Sequence, residues 1–362
     1  MSDTIKILYV DDDIENFNDL KDVLNGKTIN GYEITIDSET YFEHAVAKSL
    51  EYNLIILDLF KGNAMSGGVD KGSAIYDSIR SSIFVPIIFY SANPASVAHL
   101  RSQVLGVANK LDDIESLLSE IERLTKHNLP LLKGKVHAFI EDEFKKYFWG
   151  TIHPKNNIFK PEADDLSLGY MLLRNMADTL SRDNIRQLLE DDTIKEDKVH
   201  PMEFYIYPTD TTTEYQTGEI IKNKETDEIF VILTPSCDFI KRGTSERKVD
   251  HILLLKTILL TETKEYKRYN KDKDKYTESL KQFINSSKGD RYFFLPQTPF
   301  IENRVIDFQN KEIVSYEQLC ANFERIAKLD NPYAQSMSAT YTRYYNRIGF
   351  PDIDCDYILG LL

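Results

Sequence analysis

Carboxylates at Asp11, Asp12 and Asp58, a hydroxyl at Ser91 and an ammonium at Lys110 are scattered along the first third of the chain, yet they form one chemical set. Clustered carboxylates repel one another, and a hard divalent cation such as Mg2+ relieves that repulsion by taking oxygen ligands. Such an ion can bridge a carboxylate and an incoming phosphoryl group, offsetting charge that develops in transfer. In that chemistry Asp58 is the nucleophile and becomes an aspartyl-phosphate. Ser91 would hydrogen-bond one phosphoryl oxygen and Lys110 would pair with another. The backbone carbonyl of Phe60, two residues past the nucleophile, would add a metal ligand.

Each of these residues follows a compact apolar run. Ile5 to Val10 leads into Asp11-Asp12-Asp13, Leu54 to Leu57 into Asp58, Val85 to Tyr90 into Ser91-Ala92, and the short Gly106 to Asn109 into Lys110. Tyr32 to Ile36 alternates as a further strand. Helical spacing recurs between the runs, at Phe17, Leu20, Val23 and Leu24, through Ala45 and Ala47, over Ser73 to Arg80, over Ser96 to Leu105 and over Asp112 to Leu124. Strands apolar throughout and separated by helices predict an α/β fold: a doubly wound, flavodoxin-like, five-stranded parallel sheet. Ligands of such a sheet bind at the carboxyl ends of the strands, near the point where the strand order reverses. That rim is where the five reactive residues would meet.

The runs Ile7-Leu8-Tyr9-Val10-Asp11-Asp12, Leu54-Ile55-Ile56-Leu57-Asp58-Leu59 and Pro86-Ile87-Ile88-Phe89-Tyr90-Ser91-Ala92, followed by Lys110, resemble the receiver domains of two-component response regulators over roughly the first third of the chain. The resemblance implies a phospho-accepting Asp58, Mg2+ as cofactor, a histidine kinase or phosphotransfer protein as partner, and Ser91 as the hydroxyl switch. The family's aromatic switch position, three residues before the lysine, holds Val107, and Leu111 stands where proline is common. The segment from Lys61 to Lys71 is longer than usual and reads either as a surface insertion or as a gate beside the pocket. A receiver used only for docking is the alternative to phosphorylation.

Net charge is -14, from 44 Lys and Arg against 58 Asp and Glu. That balance disfavours broad binding of nucleic acid or an anionic membrane, without closing the question of nucleic acid. Cys237, Cys320 and Cys355 are far apart and form no paired motif, so free buried thiols in a reducing compartment are expected. No apolar run is long enough to span a bilayer. A cytoplasmic protein is expected, with self-association into a homo-oligomer left open.

The residues suggest three domains: a receiver over 1–127, a helical connector over 128–199 and an α+β output domain over 200–362. In the connector Val136, Phe139, Ile140, Phe144 and Phe148 keep helical spacing, and Gly150 to Lys160 reads as a loop. Beyond His200-Pro201 short strands are expected at Glu203 to Tyr207, Glu219 to Ile221, Ile229 to Leu233, His251 to Leu255, Arg291 to Leu295 and Arg304 to Phe308. Helices are expected over Ser315 to Lys328 and Ala334 to Arg347. Gly218 to Ile221, a polar turn and Ile229 to Leu233 resemble the opening hairpin of an SH3-like barrel, as in plasmid-addiction toxins of the PemK type, which are ribonucleases. Cys237 with His251 could form a nucleophilic pair in a nucleic-acid-processing enzyme. The other reading buries Cys237 in a small barrel with Asp238 capping a turn. Lys241, Arg242, Arg247 and Lys248 form a small basic group, and Tyr341 to Arg347 interleaves aromatic and basic residues. That stretch suits either base stacking or a helix packed through its tyrosines. No helix-turn-helix, GGDEF-type or HD-type signature is present.

Overall fold

The computed structural model describes residues 4–61, 69–70, 72–82, 84–112, 114–126, 129–155, 165–191, 193–195, 197–241, 243, 247–285, 291–347 and 352–362. The chain forms two compact units, Met1–Thr193 and Ile194–Leu362.

In the first unit β1 (Thr4–Val10) is followed by α1 (Ile14–Leu24), the short β2 (Thr28–Ile29), β3 (Tyr32–Glu39), α2 (Phe42–Lys48) and β4 (Leu54–Leu57). A small hairpin, β5 (Phe60–Lys61) with β6 (Val69–Asp70), precedes α3 (Gly72–Ser82), β7 (Ile87–Ser91), β8 (Leu105–Asn109) and α4 (Glu115–Thr125). The sheet order is β2-β3-β1-β4-β7-β8. β3, β1, β4, β7 and β8 run parallel, and β2 adds a two-residue antiparallel edge that the sequence pattern did not indicate. Both faces are buried. Ile5, Ile7 and Tyr9 pack with α1 and α4 on one side, while Leu8, Val10, Ile55 and Leu57 meet Ala45 and Ile79 on the other. Burial on both faces is why these strands read as unbroken apolar runs.

The helix expected over Ser96 to Leu105 is absent. Two 3-10 turns, Pro94–Ser96 and Ala98–Leu100, take its place. The carbonyls of Ser102 and Leu105 accept from the Arg123 guanidinium at 2.7 and 2.9 Å, and Arg101 Nε donates to the buried Glu120 at 2.9 Å. Side chains of α4 thus hold this segment through contacts from a distant element, and Leu105 is already paired in β8.

The unit continues with α5 (Leu129–Tyr147), a π-helical turn at Phe148–Ile152, a 3-10 turn at His153–Lys155, α6 (Asp165–Thr179) and α7 (Arg182–Leu189). The expected loop from Gly150 is therefore helical as far as Lys155, and its remainder lies outside the described residues.

In the second unit a 3-10 turn at Pro201–Phe204 leads into the two-residue β9 (Tyr205–Ile206). Then come β10 (Glu219–Asn223), β11 (Ile229–Ile232), the one-turn α8 (Ser236–Phe239) and β12 (His251–Leu259). A helix pair follows, α9 (Lys264–Lys271) and α10 (Lys273–Ile284), with Asp272 capping the second. After it follow β13 (Tyr292–Leu295), β14 (Arg304–Ser315), α11 (Tyr316–Asn322), β15 (Phe323–Leu329), α12 (Tyr333–Tyr345) and α13 (Cys355–Leu359). The antiparallel sheet has the order β13-β14-β12-β11-β10-β15-β9. One face packs on α12 through Ala334, Met337 and Tyr344, and the other on Phe239 of α8 and Leu319 of α11.

The helix expected over Ser315 to Lys328 stops at Asn322. Phe323, Ala327 and Leu329, buried at odd positions, have the period of a strand, and β15 pairs along β10. No helix of the described residues is long and apolar enough to cross a membrane.

Candidate functional site

Strand register builds the acidic rim. Val10 lies opposite Leu57, and the Asp58 N–H donates to the Val10 carbonyl at 2.9 Å, so Asp11 and Asp58 leave adjacent strands side by side. Ser91 lies opposite Asn109, and the Lys110 N–H donates to the Ser91 carbonyl at 3.0 Å. β1 is also where the chain reverses its order across the sheet, with β3 on one side and β4 on the other.

Carboxylate oxygens of Asp11, Asp12 and Asp58 lie within 4.8 Å of one another. Asp11 and Asp58 are buried and Asp12 is exposed. The Lys110 ammonium joins the set, donating to Asp11 Oδ2 at 2.5 Å and to Asp58 Oδ2 at 2.8 Å. The rings of Tyr9 and Tyr90 flank it, with centroids 6.0 and 5.9 Å from Nζ. The other Asp58 oxygen accepts the Leu59 N–H at 2.7 Å, and the buried Ser91 hydroxyl hydrogen-bonds the same carboxylate. Phe60 opens β5 two residues beyond. The rest of the long segment, residues 62–68 and 71, lies outside the described residues.

Burial pushes the Asp58 carboxyl above its ordinary range; Lys110 opposes this and Asp11 adds to it. Burial also acts upward on Asp11, but Lys110, the Tyr9 hydroxyl and the Asp13 N–H outweigh it and hold its carboxyl low. Lys110 is desolvated, yet Asp58 and Asp11 keep its ammonium above the ordinary lysine range. Three carboxylates against one ammonium leave an excess of negative charge on hard oxygen donors. That donor set fits a divalent cation such as Mg2+, which Asp11, Asp12 and Asp58 would hold.

Three contributors escaped the sequence reading. Gly72 opens α3 against the backbone of Asp58, its N–H donating to the Leu59 carbonyl at 2.9 Å. A Cβ there would lie 2.4 Å from the Asp58 carbonyl oxygen. The Tyr9 hydroxyl and Asn16 Nδ2 both donate to Asp11 Oδ2. A tyrosine two residues before the acid, and so on the same face of the strand, was a signal available for the first of these donors.

In the second unit the expected buried thiols are a misreading. Cys237, Cys320 and Cys355 are all free and exposed, carried on the short helices α8, α11 and α13. Such helices cover only one side of each residue. The Cys237 thiol donates to Asp238 Oδ1 at 3.5 Å. His251 is exposed at the start of β12, and among the described residues no hydrogen bond joins it to Cys237. Of the small basic group, Arg247 is paired with Glu214 at 2.7 Å and lies over the Tyr316 ring, which gives it a structural use, and Arg242 lies outside the described residues. On α12, Tyr344 is buried and Tyr341 packs edge-on against Phe308 of β14, the arrangement of a helix seated through its tyrosines.

No family model matches the chain, and no curated protein matches it. Among solved structures, the N-terminal third is similar to receiver domains of response regulators at low identity. One is the N-terminal domain of a response regulator/sensory box/GGDEF three-domain protein from Carboxydothermus hydrogenoformans, 27% identical, covering 36% of this chain and 99% of that one, with a TM-score of 0.27. Another is the Thermotoga maritima response regulator TrrA in complex with Mg2+ and beryllium fluoride, 26% identical, covering 33% of this chain and 99% of that one, with a TM-score of 0.27. A chemotaxis protein from Vibrio cholerae is 21% identical over 33% of this chain and 98% of its own, with a TM-score of 0.25.

Proposed function

We propose that this chain is a response regulator whose residues 1–127 accept a phosphoryl group on Asp58 and whose C-terminal half is the effector. One observation carries the reading: Lys110 Nζ bridges Asp11 and Asp58 at 2.5 and 2.8 Å, inside a cluster of three carboxylates at the carboxyl ends of parallel strands. A fixed cation beside a carboxylate nucleophile suits the transfer of a highly charged group.

A carboxylate oxygen of Asp58 forms the bond to phosphorus, and the bond from phosphorus to the donor breaks, its electron pair leaving with the donor. Lys110 pairs with one transferred oxygen, and the Ser91 hydroxyl turns from Asp58 to another. A bound Mg2+, with the Phe60 carbonyl as a further ligand, would offset the negative charge of the incoming group. The donor is a histidine kinase or a phosphotransfer protein. Residues 128–199 serve as a helical connector and 200–362 as the output domain. Phosphorylation biases two arrangements of the effector that exist beforehand.

The test is incubation of the full chain with Mg2+ and a small acyl phosphate, followed by intact-mass measurement. The wild type should gain one phosphoryl group and Asp58→Asn none. No gain in the wild type, or an equal gain in the variant, refutes the reading.

A further inference from the structure

Tyr9 and Asp11 are two residues apart on one edge of the site, so the pleat turns both side chains to the same face. The Tyr9 ring is fully buried and stacks on Phe17, with ring centroids 6.5 Å apart and planes inclined by 18°. A buried phenol needs a hydrogen-bond partner, and this one donates to Asp11 Oδ2. Asn16 Nδ2 donates to the same oxygen at 3.1 Å and Lys110 Nζ at 2.5 Å, while Oδ1 accepts the Asp13 N–H at 2.9 Å. Four donors thus define the plane and tilt of the Asp11 carboxylate. They differ in what they do. Lys110 also holds Asp58 and pulls the two acids toward itself, whereas Tyr9 is fixed by the core and acts on Asp11 alone.

We propose that Tyr9 is a positioning residue of the divalent-cation site, its buried hydroxyl fixing the orientation of the Asp11 carboxylate. The inference rests on the reading of Asp11, Asp12 and Asp58 as ligands of a divalent cation. Outer hydrogen bonds to a metal ligand set its orientation, and losing one typically weakens metal binding by about 10–100-fold. Tyr9→Phe removes the hydroxyl and keeps the ring; Oδ2 still has two donors, so no buried acceptor is left unpaired.

The experiment is calorimetric titration of the full chain with Mg2+ for wild type, Tyr9→Phe and Phe17→Leu, each also followed by thermal unfolding without metal. Tyr9→Phe should raise the Mg2+ Kd about tenfold with little change in Tm. At saturating Mg2+ its phosphorylation rate should return to that of the wild type. Phe17→Leu disturbs the same packing without touching the hydroxyl, so it should lower Tm and leave the Mg2+ Kd unchanged. Equal Kd values for Tyr9→Phe and wild type overturn the role of Tyr9 while leaving the cation site intact. Equal weakening in Phe17→Leu overturns it too, by assigning the effect to packing. A wild type that takes up no Mg2+ overturns the cation site itself and this inference with it.

Discussion

Replacing Gly72 by alanine tests how Asp58 is held. A Cβ built on Gly72 lies 2.4 Å from the Asp58 carbonyl oxygen and 2.6 Å from Leu59 Cα, both backbone atoms with no rotamer to yield. A comfortable carbon–oxygen approach is about 3.3 Å, so the Asp58 backbone and the start of α3 must part by roughly 1 Å. Overpacking of this kind costs about 1–3 kcal/mol. For a unit of this size each kcal/mol lowers Tm by about 2–4 °C, so a loss of roughly 4–8 °C is expected for a cost near 2 kcal/mol. Displacing a reacting group by about 1 Å can slow its reaction about 10²-fold, so phosphorylation from an acyl phosphate should slow far more than the stability change implies. Gly134→Ala is the control: it lies within α5 with nothing within 4 Å of its Cβ, and should stabilise by about 0.5–1 kcal/mol. Calorimetry and a phosphorylation time course on the full chain read both effects. If Gly72→Ala melts and phosphorylates like the wild type, the contact of α3 with Asp58 does not have the role assigned to it.

Two further expectations concern charge. Burial raises the Asp58 carboxyl above its ordinary value, so its contribution to stability is complete below the ordinary Asp range and is lost as pH rises through the raised value. Asp58→Asn should therefore be more stable than the wild type at neutral pH, and the gap should close in acid; denaturant curves across pH decide, and a gap independent of pH contradicts the argument. In the second unit, Glu219 is wholly buried against Arg325, held by bonds of 2.7 and 2.5 Å. Arg325→Met strands that carboxylate and should cost about 3–5 kcal/mol, partly recovered by adding Glu219→Gln. Burial already raises the Glu219 carboxyl despite Arg325, so its stabilising contribution fades as pH rises, and the Arg325→Met deficit should be small near pH 4 and large near pH 8. A deficit that shrinks with rising pH would be the wrong sign.

The first unit was legible because two signals agreed. Strands buried on both faces leave solid apolar runs, and an acid or hydroxyl stands directly after three of them, at Asp11, Asp58 and Ser91, with Lys110 after the fourth. Local pattern failed where a distant side chain supplied the backbone's partners. Val97, Leu100 and Val104 have helical spacing, yet Leu105 is taken into β8, and Arg123 from α4 binds the Ser102 and Leu105 carbonyls and holds the segment from outside. Asn322 ends a helix that apolar spacing would have extended, because Phe323 to Leu329 can pair with β10 and Arg325 can meet the buried Glu219. Thiol exposure was misjudged for a related reason: the average tendency of cysteine to be buried says nothing about a residue on a one-turn helix.

The sequence by itself determined the chemical inventory, namely which residues follow which strands and hence that three carboxylates, a hydroxyl and an ammonium belong to one sheet rim. Which residue follows each strand is a property of local pattern, and the doubly wound fold implied by alternating strands and helices puts those residues on one rim. Only the tertiary structure decided how the inventory is held: Tyr9 and Asn16 on one oxygen of Asp11, Lys110 across two acids, and Gly72 pressed against the Asp58 backbone. These are contacts of a few ångströms between elements brought together by packing. Their energies depend on distance and burial, which no residue type or spacing encodes.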